Sequence, residues 1–273
     1  MDSENGAAYI RRSPIRRVLH VVVPPAARRN LWLKLSRAGR LADVYMFLDP
    51  GVRSRRVTKK TELVIDGVAR SSNSYAGAVL IHLHGEELRF AHHLHTPRAI
   101  ERGVALGRPT IVLIREPRAV VASLLQYTPA PVSFFVDFYL GYYERVEPFL
   151  ADVVLADFTE VINDFGAVIA RCNDKFGTDL TVYDRTDEDE AVVRELIDMW
   201  SAQAAKPEEL EMKAPRPSDQ RKPAEAMLAD LSPEDQKSLA RAEALYTRIW
   251  ATYNTHQHPP TPTAGRRHRG VRR

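Results

Sequence analysis

The chain has 273 residues, is 44% hydrophobic and 27% charged, carries a formal net charge of +4, and contains one cysteine, Cys172. That composition excludes a collagenous, wholly disordered or disulfide-stapled chain and suits one α/β domain of about 200 residues with extensions. A lone thiol excludes an internal disulfide and points to a reducing, cytoplasmic setting.

Residues 1–60 read as a basic extension, with the pairs Arg11-Arg12, Arg16-Arg17 and Arg28-Arg29. The apolar run Val18–Val23 is too short to span a membrane, and Pro24-Pro25 ends it. Trp32, Leu35, Leu41, Val44, Tyr45 and Phe47 give an amphipathic helical pattern from about Ala27 to Leu48. That helix either packs on the core or lies on an anionic membrane surface, which would make the protein peripheral to a membrane.

Residues 61–256 carry alternating strand and helix signals. Glu62–Asp66 reads as a strand, Gly67–Tyr75 as a small polar loop, and Ser74–Leu83 as a helix. Strand, loop and helix in that order aim backbone N–H groups at an anion, although a Ser/Asn-rich turn also simply caps a helix. The loop lacks the glycine pair and lysine of a nucleotide-binding P-loop. Leu88–His93 is the next strand, and Thr96-Pro97 opens a helix ending near Gly107.

Thr110–Ile114 is a fully apolar strand with Arg115 at its C-terminal end. Pro117 suits a first helical turn, and Ser123 follows Arg115 by eight positions, about two helical turns. A cation and a hydroxyl on one side of a strand–helix junction suit a phosphate; a surface Arg beside a helix is the plainer reading.

Pro131–Phe149 reads as an aromatic-rich helix. Tyr127, Phe134, Phe135, Tyr139, Tyr142 and Tyr143 either line an acceptor cleft or fill the core. Val153–Ala156 is a short strand, Thr159–Phe176 a helix closed by Gly177, and two more helices fall near 187–204 and 233–254. Residues 257–273 read as a disordered basic tail without an apolar pattern. The alternation predicts an α/β, three-layer fold, a mostly parallel sheet with helices on both faces.

The strand end Phe90-Ala-His-His-Leu-His-Thr-Pro97 concentrates three histidines. In extended chain, His93 and His95 share one face and His92 takes the other. Two imidazoles at that spacing suit a metal, local structural hydrogen bonds, or general-base work.

Taken together, Ala69-Arg-Ser-Ser-Asn-Ser-Tyr75 and the Arg115/Ser123 pair resemble the two cofactor motifs of the sulfotransferases that use 3′-phosphoadenosine 5′-phosphosulfate (PAPS). The resemblance runs from about Glu62 to Leu180, looks closest to divergent bacterial members, and implies a P-loop-like sulfotransferase architecture. It implies that Arg70 stands for the loop lysine, and that Ser71, Ser72, Asn73 and Ser74 hold the 5′-phosphate. Arg115 and Ser123 would hold the 3′-phosphate. His95, or else His93, would be the general base by alignment on Pro97. Tyr75 replaces a Trp often stacked on adenine. Phe158-Thr159-Glu160 replaces a Tyr-Glu-Asp stretch. The family's late Arg-Lys-Gly motif is absent as such; Arg216–Lys222, with Arg221 and Lys222, either folds over the 3′-phosphate in its place or is a solvated charged loop.

The implied activity is sulfuryl transfer from PAPS to a hydroxyl or amine of a small-molecule, glycan or lipid acceptor, without specific nucleic-acid binding or a metal. The residues leave open a relative without activity, a phosphoryl-transfer or other nucleotide-binding protein with Asp66 or Asp157 on magnesium, and a non-catalytic membrane-surface protein.

Overall fold

Four short apolar runs form one parallel sheet in the computed structural model, which describes residues 55–126, 128–204 and 222–257 together with Pro24, Ala27 and Val52. The expected amphipathic helix over 27–48, the tail from 258 onward, Tyr127 and Arg221 lie outside the described residues.

The strands are β1 (Leu63–Gly67), β2 (Phe90–His92), β3 (Thr110–Ile114) and β4 (Val154–Asp157), in the order β2-β1-β3-β4. All three pairings are parallel, with Ile65 opposite both His92 and Ile111, and Leu113 opposite Ala156. Alternate strand residues feed two cores. Val64, Val112, Ile114 and Leu155 face one; Leu63, Ile65, Ile111, Leu113, Val154 and Ala156 face the other. Burial on both faces explains why these strands read as continuous apolar runs. The fold is therefore the expected three-layer α/β arrangement.

The helices are α1 (Asn73–His84), α2 (Pro97–Ala105), α3 (Pro117–Leu125), α4 (Val132–Val146), α5 (Phe158–Asn163), α6 (Phe165–Phe176), α7 (Asp187–Ala204), α8 (Ala224–Met227) and α9 (Pro233–Gln257). On the second face α7 packs on α1, while α9 packs on α4 and α3 on the first. Among the described residues no helix is long and apolar enough to cross a membrane.

Two helices expected as single pieces are divided. Asp164, at φ −151° and ψ 63°, separates α5 from α6, and its carboxylate caps the Ala167 N–H. Gly166 lies so close to Tyr183 that a Cβ would stand 2.3 Å from the Tyr183 carbonyl oxygen. The aromatic helix ends at Val146 and tightens into a 3₁₀ turn over Glu147–Asp152, where Pro148 supplies no N–H. The short α8 had no sequence signal of its own.

Gly67 ends β1 where the chain must pass closest to β3. A Cβ there would lie 2.2 Å from the Leu113 carbonyl oxygen. Gly67→Ala is thus expected to destabilise the fold by about 1–3 kcal/mol, read as a lower denaturant midpoint at unchanged slope. Gly77 offers the contrast. A Cβ on it meets His93 Cε1 only at 3.4 Å, ordinary contact, so Gly77→Ala should leave stability the same or higher.

Candidate active site

Because β1 lies between β2 and β3, the connections leave it in opposite directions. The crevice at the C-terminal ends of β1 and β3 is the switch point where α/β sheets take ligands. A cavity of about 600 Å³ opens there, lined by Arg70, Ser72, Asn73, Ser74, His93, His95, Arg115, Ser123 and Lys222, with Ala119, Ala122, Phe158 and Ile162 as its apolar wall.

The first loop is braced from within. Asn73 Oδ1 accepts the Gly67 N–H (3.1 Å), and Asn73 Nδ2 donates to Val68 O (2.9 Å). Ser72, the N-cap of α1, makes no side-chain cap; its hydroxyl donates to Ser71 O (2.5 Å) instead. The first residues of α1 line the cavity and Ser72 leaves their N–H groups without a side-chain cap, an arrangement that suits an anion. By contrast, α3 is capped from within, since Glu116 accepts the N–H of Arg118 (3.0 Å) and Ala119 (2.8 Å). What that junction presents to the cavity is the side chains of Arg115 and Ser123.

These two motifs meet. Arg70 Nε donates to Ser123 Oγ (2.8 Å), and Arg115 Nη1 donates to Arg70 O (3.0 Å). Arg115 also lies 3.8 Å over the Phe158 ring, so Phe158 supplies a cation–π platform. Gln126, which the sequence did not single out, hooks the Lys222 backbone in both directions. Its Nε2 donates to Lys222 O (2.6 Å), and its Oε1 accepts the Lys222 N–H (3.4 Å).

The histidines reach the cavity by a route that strand alternation does not describe. β2 ends at His92, and His93 (φ 53°) and His95 (φ 51°) are left-handed. The expectation that His93 and His95 share a strand face fails, because period-two alternation holds only in extended chain. Both rings still arrive at the site, with centroids 5.8 Å apart. His93 is engaged at both ring nitrogens, by His92 Nδ1 (2.9 Å) and Ser74 Oγ (3.1 Å). His95 Nδ1 sits 2.8 Å from Gly67 O. A carbonyl only accepts, so Nδ1 carries the hydrogen, and in the neutral form of the ring Nε2 is the unprotonated nitrogen.

Four non-glycine residues have positive φ among the described residues: Arg70, Ser72, His93 and His95. All four border this cavity. Such conformations cost about 1–3 kcal/mol each and concentrate at functional sites.

Several expected site residues are placed elsewhere. Ser71 is fully buried and its N–H donates to Val68 O (3.3 Å), so it holds the loop rather than lining the cavity. Tyr75 borders the cavity, but its ring belongs to the second core and its hydroxyl donates to Glu190. Tyr183 (3.2 Å) and Arg185 (3.1 Å) join it there. Burial pushes the Glu190 carboxyl up, but Arg185 and Tyr75 outweigh it, and the net direction is down. Tyr75 thus borders the cavity with its hydroxyl tied to α7 through Glu190.

Phe135, Tyr139, Tyr142 and Tyr143 are core residues, and Phe134 packs against that core. None of the five lines the cavity. Asp66 and Asp157, the carboxylates considered for magnesium, are engaged. Asp66 accepts three backbone N–H groups. Asp157 caps Thr159 and accepts from Tyr246. Among the described residues no group of three or more His, Cys, Asp or Glu is arranged to hold a metal ion.

No protein-family model matches the chain, and no curated protein matches it. Among solved structures, mouse sulfotransferase SULT7A1 complexed with PAP is similar over 75% of this chain and 89% of that one, at 11% identity and a TM-score of 0.42. At that distance the likeness assigns neither family nor activity.

The histidine cluster also sets a pH dependence. Burial, with neighbouring cationic groups, holds His92 and His93 well below the ordinary histidine value. Their folded-state values are depressed, so the unfolded chain takes up protons below about pH 6.5 that the folded chain refuses. Stability is full above that pH and falls below it, by up to about 1.4 kcal/mol per pH unit for each ring. Asp66, pushed up by burial, works in the opposite sense, but it is one group against two. The thermal midpoint is expected to hold from pH 8 to 7 and to drop towards pH 5.5. His92→Gln should flatten that drop; an unchanged slope would place the titrating groups elsewhere.

Proposed function

We propose that this protein transfers a sulfuryl group from PAPS to a hydroxyl or amine acceptor. The observation that supports the reading is one crevice lined by three sets of groups suited to it: the α1 N-terminus without a side-chain cap, with Ser74; the bridged set Arg70, Arg115 and Ser123; and the His95 imidazole.

The residues fit a nucleotide with phosphates at both ends of its ribose. The α1 N–H groups and the Ser74 hydroxyl suit the 5′-phosphate. Arg115, Ser123 and Lys222 suit the 3′-phosphate. When bound, the donor supplies an activated sulfuryl group and a bisphosphate that leaves. His95 Nε2 takes the acceptor proton as the acceptor oxygen or nitrogen attacks sulfur in line. Arg70, held by Ser123, offsets the negative charge that grows on the 5′-phosphate side as the bond to sulfur breaks. The apolar wall of Ala119, Ala122, Phe158 and Ile162 keeps part of the crevice dry.

The deciding test is binding. Adenosine 3′,5′-bisphosphate should stabilise the full chain strongly and ADP weakly, in parallel thermal melts. Labelled sulfuryl transfer to a panel of phenols, alcohols, sugars and amines then identifies the acceptor. Equal stabilisation by the two nucleotides would remove the PAPS reading.

A further inference from the structure

The turn that carries His95 is gathered by one carboxylate. Asp66, near the end of β1, is fully buried. Its Oδ1 accepts the N–H of Leu94 (3.0 Å) and of His95 (3.1 Å). Its Oδ2 accepts the N–H of Thr96 (3.3 Å) and the Tyr142 hydroxyl (3.4 Å). Three successive backbone N–H groups closing on one anion form a nest, and they make the left-handed residue His95 tenable. The same Oδ1 lies 4.0 Å from His95 Nδ1, which donates to Gly67 O.

We propose that Asp66 is the positioning residue for the base of the transfer. Its carboxylate fixes the turn that aims His95 Nε2 into the crevice, and its charge stabilises that imidazole once it has taken up a proton. This rests on the reading of His95 as the base.

Several charged and titratable groups surround His95. His93 and His92 approach His95 from its own loop, Arg70 lies in the first loop, Arg115 at the β3–α3 junction, and Lys222 across the cavity. Tyr142 of α4 reaches Asp66 itself, and Arg55 donates to His93 O (3.4 Å). His92 and His93 are held neutral by burial, and Tyr142 stays a neutral phenol. What remains is cationic apart from Asp66. Asp66 is the anion among these groups, and its Oδ1 lies 4.0 Å from His95 Nδ1. Burial pushes the Asp66 carboxyl up, while His95 and the three N–H donors pull it back towards the charged form.

The test is NMR on the unliganded full chain. Long-range ¹H–¹⁵N spectra follow each imidazole against pH, with the His95 signals identified by their loss in His95→Gln. The expected wild-type result is a neutral His95 carrying its hydrogen on Nδ1, with an inflection of the Asp66 carboxyl ¹³C shift at the pH where His95 titrates. Asp66→Asn keeps a carbonyl oxygen for the turn and loses the charge. There the His95 midpoint should fall, because an anion beside the imidazole is lost, and exposed His256 serves as the internal reference.

A His95 midpoint unchanged in Asp66→Asn overturns the proposal, because a purely structural carboxylate would not move it. Should Asp66→Asn fail to fold, the wild-type coupling decides, and absence of the shared inflection overturns the proposal. Nucleotide binding is measured separately. Failure to prefer adenosine 3′,5′-bisphosphate would remove the transferase reading and leave the Asp66–His95 coupling standing.

Discussion

Replacing His95 by alanine is expected to lower sulfuryl-transfer turnover by about 10²- to 10⁴-fold while leaving nucleotide binding nearly intact. The geometry separates the two effects. The ring takes its orientation from Gly67 O through Nδ1, and no hydrogen bond among the described residues engages Nε2. The cationic and hydroxyl groups of the cavity are held by other contacts, chiefly Arg70 to Ser123 and Arg115 to Arg70 O. His93→Ala should do less to turnover. That ring spends its nitrogens on His92 and Ser74, so its loss loosens the first loop and should show as weaker nucleotide binding. The measurement is single-turnover transfer to the best acceptor of a panel, beside nucleotide titrations of both variants. A larger turnover loss for His93→Ala than for His95→Ala would move the base to His93. Unchanged turnover in both would exclude an imidazole base. Glu86 and Glu87 are poor substitutes, since both are exposed in the turn beyond the far end of α1.

The strands and the two motifs were legible because burial leaves a mark in sequence. Thr110–Ile114 is buried on both faces, and such a strand has no polar side to show. Arg115 and Ser123 were legible because helical spacing is regular once Pro117 opens α3. The histidine geometry was not. It depends on Asp66, twenty-eight or more residues upstream, collecting the N–H groups of Leu94, His95 and Thr96. No local pattern announces two left-handed histidines in succession around a leucine.

The partner of Tyr75 was hidden for a similar reason. The place of Tyr75 beside a phosphate-type loop suggested a ligand-facing ring, and its partner Glu190 is 115 residues away on α7. The aromatic helix shows the reverse ambiguity. Tyr139 and Tyr143 sit one turn apart and read equally as cleft or core. Packing decides for the core, with their hydroxyls donating to Arg115 O (2.9 Å) and Leu113 O (2.7 Å). Tyr139 thereby steadies the backbone that carries Arg115, a supporting role that helical spacing alone does not reveal.

The backbone strain at this site has an energetic implication. Arg70, Ser72, His93 and His95 all adopt positive φ around a single cavity. At about 1–3 kcal/mol each, that strain is comparable with the whole stability of many domains. It persists because the bonds of Asn73 and Asp66 over-determine the two loops. A ligand meeting preformed loops loses less ordering entropy on binding, which favours affinity.

Arg115→Ala is expected to abolish the preference for adenosine 3′,5′-bisphosphate over ADP. In the wild type, bisphosphate at one hundred times its dissociation constant should add about 2.7 kcal/mol, or roughly 5–10 °C in the thermal midpoint for a domain of this size. ADP has no 3′-phosphate, and each charge-assisted bond it forgoes is worth about 1.5–3 kcal/mol, so at equal concentration its shift should be small. In Arg115→Ala both ligands should give the small shift.

The unliganded midpoint of the variant will also fall, because Arg115 bonds Arg70 O and lies on Phe158. The quantity to compare is therefore the ligand-induced shift, each variant against its own unliganded melt. Arg115→Lys separates charge from shape. A point charge keeps some attraction for the phosphate but loses the planar fork and its stacking on Phe158, so an intermediate preference is expected. Ser123→Ala should weaken the same preference more mildly, while also releasing Arg70 Nε. A full bisphosphate preference retained in Arg115→Ala would assign the 3′-phosphate to Lys222 and the segment that Gln126 holds against α3.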